Sequence, residues 1–483
     1  MKTDGSDLAR PTFETKGIAG VGLCGLFAMS TKSPSKADLL RPIRETSTAY
    51  YVLVAVAAIA FGLFLLGWAY QLAEGMIVTG LGDWGTGGGV TWGIYIGAFI
   101  WWVGIAHGGI ILSAAVRLLG MERYMPVARL AELLTLGALS AAGFYIVVHL
   151  GRPDRMVTSV IGHYHITVNN SPLVWDVTVI TAYFVLTATY LALTLRYDIS
   201  RLRDDLPDRY GPIYSLLTIG YSEREDAVIQ RMVWWIALAI IIMAPLLLHG
   251  GVIPWLFAVI PSMPRWFGAV QGPQFLTIAL TSAISGVIIL SAAFRRAYDW
   301  DHIITDDVFR GLLLWLGFFS LLFLWLQLQQ VTAGSFAPPI DLSVVWSATL
   351  SDPIYIVAML LVGLVLAFIF AQTLRPSLFS RGRAIVCAVA VLTATLLEKV
   401  LFVVEGMFHP SFEIYAATPG YYIPSLIEIA SVIGTIGMVS LFFLLVAKIV
   451  PVLELHAIEH LQAEHQEGRT SDHASRQSAS EDE

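Results

Sequence analysis

The sequence predicts an all-α integral membrane protein with ten transmembrane helices, and three observations carry that prediction. Only 13% of its 483 residues are charged and 56% are hydrophobic. Soluble domains carry about a quarter charged residues, so there is too little polar surface to cover a water-soluble globule of this size. The charges that do occur sit in short stretches between long apolar runs. Lys and Arg also fall overwhelmingly on one side of the alternation those runs would impose.

A hydrocarbon core of about 30 Å needs roughly 20 apolar residues per helix. Ten segments reach that length, at about 50–70, 91–115, 128–150, 173–195, 232–258, 275–294, 309–330, 353–372, 384–405 and 423–449. The fifth contains Pro245, Gly250, Gly251 and Pro254 and is expected to kink or end early near His249. The apolar stretch Gly17 to Ser30 is too short to span. Asp4, Asp7 and Glu14 precede it and no small-residue cleavage site follows, so a cytoplasmic or interfacial segment is favoured over a signal peptide.

Counting basic residues orients the chain. Of 29 Lys and Arg, only Arg152, Arg155 and Arg265 fall in outer loops and Lys399 within a helix; the other 25 lie on the inner side if the N-terminus is cytoplasmic. A missed or extra helix would break this alternation, so the bias supports the count as well as an N-in, C-in topology. The expected organisation is a cytoplasmic segment 1–49, a transmembrane domain 50–450 and a cytoplasmic polar tail 451–483, disordered at its end. Segments two to five (about 91–258) and six to nine (about 275–405) read as two four-helix bundles, with the first and tenth helices peripheral.

Several chemistries are excluded early. The cysteines are Cys24 and Cys387, too few for an iron–sulfur cluster, and no CxxCH motif attaches a c-type haem. Gly85-Thr86-Gly87-Gly88-Gly89 has neither a preceding strand nor a following Lys, so it reads as a turn and not a phosphate loop. His456, His460 and His465 sit beside Glu459 and Glu464 on the polar tail and read as a solvated face. No metal site is expected. The pairs Trp101-Trp102 and Trp234-Trp235 are ordinary membrane aromatics.

Ionisable side chains inside spanning segments are costly and are functional candidates by default. They are His107, Glu132, His149, Asp176, His249, Glu398, Lys399, Glu405 and Glu428. His149 ends the third helix on the outer side and Asp176 opens the fourth on the same side, so a helix hairpin can bring them face to face. That pairing suits quinol oxidation, which must remove two protons and two electrons. His can accept a hydrogen bond from one hydroxyl and titrates near neutrality, and Asp can act as the base or hold the imidazole tautomer. The plainer reading is two interfacial residues snorkelling to water or capping helix ends. Glu398 and Glu405 are seven apart on one face of the ninth helix. With Lys399, His107 and Glu428 they form the candidate proton path, and a structural Glu398–Lys399 cluster is the favoured alternative. His107 lies in Gly104-Ile105-Ala106-His107-Gly108-Gly109, whose small residues let another backbone approach. Haem would want two histidines at matching depth, and His107 lies deeper than His149 or His249, so no bound haem is expected.

The run His149-Leu150-Gly151-Arg152-Pro153, followed by Ser171-Pro172-Leu173-Val174-Trp175-Asp176, resembles the NrfD/PsrC family, the polysulfide reductase membrane subunits. The stretch from Trp92-Gly93-Ile94-Tyr95 to His107-Gly108-Gly109 fits as well. The resemblance covers roughly residues 40–450, and within the family the chain looks like the membrane subunits of bacterial alternative complex III. It implies two four-helix bundles and a quinol site at the outer surface built on His149 and Asp176. Tyr145, Arg152 and Trp175 are further quinol-binding candidates, and menaquinone is the expected quinone. The implied partners are an extracytoplasmic iron–sulfur subunit that takes the electrons, c-type cytochrome subunits and a paralogous ten-helix subunit, all at the bacterial cytoplasmic membrane. In the wider family the residue after the Trp is often not acidic, so Asp176 favours quinol oxidation over polysulfide reduction. The competing class is a secondary transporter or ion pathway using Glu398, Lys399, Glu405 and His107, but the paired broken helices of such transporters are not evident. A third reading is a structural anchor for peripheral cytochromes.

Overall fold

The structure is a computed structural model that describes residues 34–82, 90–247, 252–260, 262–268, 270–336, 340–411, 421–463 and 466. The expectations attached to Gly17–Ser30, Cys24, Gly85–Gly89, His249 and His465 lie outside these residues. Within them, ten helices are long and apolar enough to cross a membrane, and no strand is present among the described residues. The chain is a multi-pass all-α membrane protein. The membrane helices are α1 (Thr48–Glu74), α2 (Ile94–Leu118), α3 (Met125–His149), α4 (Pro172–Leu202), α5 (Asp226–Leu247), α6 (Gln271–Tyr298), α7 (Asp306–Phe336), α8 (Pro353–Leu374), α9 (Arg381–Phe408) and α10 (Leu426–Val446). Helix α5 is described to Leu247, and Ile253–Ala258 forms a short helix with Pro254 in its first turn.

Local chemistry sets several helix starts. Pro172 and Pro353 occupy first-turn positions, where the missing N–H costs nothing. The Asp352 side chain accepts from the backbone N–H of Ile354 at 2.6 Å and of Tyr355 at 3.3 Å. Ser425 and Glu428 form a reciprocal capping box at the start of α10.

Small residues decide which helices lie at the centre. In lipid, association depends on close packing more than on hydrophobicity. On α2, a Cβ at Gly97 would lie 2.6 Å from Val400 Cα of α9, and one at Gly108 2.4 Å from the Ala279 carbonyl oxygen of α6. At Gly109 a Cβ would lie 2.8 Å from Thr135 Oγ1 of α3. Glycines on several faces thus let three helices close on α2, and the GIAHGG stretch is a packing element as well as the setting of His107. Helix α2 packs on α3 and α5, and α4 completes that set against α3 and α5. In the same way α6 packs on α7 and α9, with α8 against α7 and α9. The sets meet where α2 lies along α6 and α9. Helix α1 packs on α10 and buries only Ala57, Phe64 and Gln71, one residue every seven. Gly434 and Gly437 of α10 receive that stripe, at Phe64 and Ala57 respectively.

The first and last long described stretches, 34–45 and 448–462, meet on one face. Lys448 Nζ donates to the carbonyl of Pro42 at 2.8 Å and to that of Glu45, and Gln462 Nε2 donates to the carbonyl of Pro34 at 2.7 Å. The start of the tail differs from the polar segment expected from sequence: Val450, Val452, Leu453, Leu455, Ala457 and Ile458 are buried. This stretch packs into the helix ends because its apolar side chains can be covered there. It is too short to register as a span.

Candidate functional site

His149 is the last residue of α3. The carbonyls of a helix's last turn lack intrahelical partners, and here that of Val148 is taken by Gln71 Nε2 of α1 at 3.0 Å. The Oε1 of Gln71 accepts from Tyr95 OH at 2.7 Å. Gln71 therefore ties α1, α2 and the end of α3 together beneath His149. Gly151, at φ +66°, turns the chain just beyond, in a left-handed conformation few other residues adopt. His149 Nδ1 is buried and makes no hydrogen bond.

Asp176 sits in the second turn of α4 at the same end of the α3–α4 hairpin. It is fully buried, and neither carboxylate oxygen has a hydrogen-bond partner. His149 and Asp176 are therefore not bonded to each other. A buried carboxyl without partners is expensive, and this one is the most conspicuous unsatisfied group at this end of the hairpin.

The other sequence candidates here are already engaged. Arg152 and Asp154 form an exposed bidentate pair, at 2.9 and 2.7 Å, and the guanidinium holds the Asp154 carboxyl below its usual range. Arg152 therefore makes no bond to Asp176, whose two carboxylate oxygens have no hydrogen-bond partner. Trp175 Nε1 donates to the Val168 carbonyl at 2.6 Å, pinning the short helix Tyr164–Asn170 of the connecting loop onto α4. Tyr145 is buried behind the site, its hydroxyl 3.1 Å from Ser431 Oγ and 3.3 Å from Thr435 Oγ1 of α10. Its polar end thus faces α10. Glu428 is held by three hydrogen bonds: its carboxylate accepts from the backbone N–H of Gly80 at 2.6 Å and of Ser425 at 2.8 Å, and from Tyr422 OH at 2.7 Å.

Both acids of α9 are paired with cations. Lys399 Nζ lies 3.0 Å from Glu398 Oε2 and 3.4 Å above the Phe275 ring. Glu405 Oε2 faces Arg265 Nε at 3.6 Å, and that guanidinium stacks over Trp346 at 4.1 Å. Arg265, counted from sequence as an outer-loop charge, is only 3% exposed.

A second group of polar residues was not anticipated as a unit. Asp176, Tyr183, Thr187, Tyr190, Thr194 and Asp198 recur at helical spacing on α4 and are all buried. At 1.5 Å per residue the file runs about 33 Å, the thickness of a hydrocarbon core. The Tyr183 ring lies 5.0 Å from that of His107. At the tail end Asp198 pairs with Arg129, and Arg117 pairs with both Glu132 and Glu454. Following α4's inward face from Asp176 would have found Asp198 in the sequence, but no local signal announces Glu454.

The fold defines a polytopic helical membrane protein with buried ionisable groups near both membrane faces. Residues 84–410 match the family described as polysulphide reductase, NrfD, and the chain belongs to that family. It is similar to a Halobacterium salinarum protein provisionally named as a membrane subunit of dimethyl sulfoxide reductase, at 29% identity over 83% of this chain and 91% of that one. It is also similar to a subunit of the selenate reductase of Mesobacillus selenatarsenatis, at 23% identity over 79% and 89% of the two chains. The Hdr-like menaquinol oxidoreductase integral membrane subunit of Archaeoglobus fulgidus is 23% identical over 88% of this chain and 99% of its own.

Proposed function

We propose that this chain is the quinol-oxidising membrane subunit of an oxidoreductase complex, with its site between His149 and Asp176. The observation that carries the reading is the fully buried, partnerless Asp176 carboxyl at the same hairpin end as the unbonded His149 Nδ1. A quinol head between them would give each group a partner. His149 accepts a hydrogen bond from one hydroxyl, and Asp176 accepts the proton of the other. The two protons leave on the His149 face, and the basic-residue bias favours an extracytoplasmic side for it. The two electrons pass to an iron–sulfur partner on that face. The connecting loop exposes Val157, Ile161 and Ile166 there, apolar side chains suited to covering by such a partner. The relative named as a menaquinol oxidoreductase subunit favours menaquinol. The likeness to alternative complex III adds c-type cytochromes and a paralogous ten-helix subunit as partners.

Proton translocation through the same chain is a second reading, favoured by the α4 file. The α9 acids support it less, because each already faces a cation. The site is tested by quinol:acceptor turnover of the purified, intact complex. His149→Ala and Asp176→Asn should each lower it roughly 100-fold or more, and full activity in both would overturn the assignment.

A further inference from the structure

Where the tail packs into the ends of α2, α3 and α4, five charged side chains from four chain segments are enclosed together. Arg117 comes from α2, Arg129 and Glu132 from α3, Asp198 from α4 and Glu454 from the tail. Arg129, Glu132, Asp198 and Glu454 are at most 6% exposed, and the Arg117 side chain is 17% exposed. Arg117 Nη2 lies 3.3 Å from Glu132 Oε1 and also bonds Glu454. Arg129 bonds Asp198 and donates to the Leu453 carbonyl at 3.1 Å, while Leu455 N donates to Asp198 Oδ1 at 3.3 Å.

The charges do not balance. Arg stays protonated in proteins, so two guanidiniums face three carboxyl groups, and full ionisation would leave one uncompensated negative charge out of water, which is costly. Among the described residues the ion pairs of these three acids are with Arg117 and Arg129. The Tyr190 ring lies under Arg117 at 5.3 Å, and α5 contributes the apolar Ile229 and Val233 beside Tyr190. Lys448 turns to the Pro42 and Glu45 carbonyls, and on the tail His460 lies 3.1 Å from Glu122 near water while His456 is exposed. Among the three acids Asp198 is engaged through both oxygens. Glu132 accepts from Ser113 Oγ at 2.7 Å and from Arg117 through Oε1, but its Oε2 is buried without a hydrogen-bond partner.

We propose that this cluster is a proton-binding site, holding one exchangeable proton shared by Glu132 and Glu454 across Arg117 and completed by the C-terminal segment. Its ligand is a proton drawn from water at the tail face. Removing either acid should discharge the proton, because the remaining two acids balance the two guanidiniums. The site lies at the opposite end of the α4 file from Asp176, and it stands whether or not quinol is the substrate.

The test is infrared spectroscopy of the purified, intact complex without quinol, titrated across pH, with ¹³C-glutamate labelling to identify glutamic-acid carbonyl bands. The wild type should show a protonated glutamic-acid component that is lost in Glu132→Gln and equally in Glu454→Gln. Glu454→Gln is near-isosteric and lies on the tail, so it decides the question alone if the Glu132 variant fails to assemble. Absence of the component in the wild type, or its persistence in Glu454→Gln, overturns the proposal.

Discussion

Asp176→Asn should separate catalysis from stability. An amide keeps the shape of the side chain but cannot take a proton from quinol. Loss of a general base is worth about 10²–10⁴ in rate, which at 1.36 kcal/mol per tenfold is about 2.7–5.4 kcal/mol on the barrier. The structure sets the other side of the comparison. Both Asp176 oxygens are buried and unbonded, so the substitution breaks no ion pair and no hydrogen bond. Removing an isolated buried carboxyl costs the fold little and relieves a desolvation penalty. The expected result is an assembled complex with wild-type or slightly higher thermal stability and a quinol:acceptor turnover lowered at least 100-fold. The assay is turnover at saturating quinol alongside a melting curve of the same preparation. Turnover within a few-fold of wild type, or a complex that no longer assembles, would refute the reasoning.

Three further predictions follow from particular contacts. Glu398→Gln leaves Lys399 buried without its counter-ion, a loss of about 3–5 kcal/mol; complex yield should fall and recover in Glu398→Gln/Lys399→Met, and an assembled single variant with normal stability would contradict the pinning role. Gly108→Ala would place a Cβ 2.4 Å from the Ala279 carbonyl oxygen, and overpacking of this kind costs about 1–3 kcal/mol, read as a lower melting temperature; an unchanged melting curve would show that α2 and α6 are not so tightly seated. A reporter fused after residue 160 should be extracytoplasmic, and a cytoplasmic signal would reverse the side assigned to quinol.

The ten spans were legible because each is a long, local apolar run, and the structure places a helix on all of them. What escaped the sequence is contact at long range. Arg265 looks like a loop charge until the chain brings it back against Glu405 and Trp346. Glu454 looks like part of an acidic tail until it bonds Arg117, 337 residues earlier. Tyr145 and Trp175 lie close in sequence to the two site residues, yet their hydrogen bonds run to α10 and to the connecting loop. Glu428 carries a capping signal with Ser425 that can be read directly from the sequence.

The most direct test of the central claim is where a quinone binds. A photoreactive quinone analogue, illuminated on the intact complex and mapped by peptide mass spectrometry, should label the peptides that carry His149 and the first turns of α4 around Asp176. Excess unlabelled quinone should suppress that labelling, and Asp176→Asn should leave its location unchanged. Competable label confined to the second helix set, around Phe275, Glu398 or Phe402, would contradict the account.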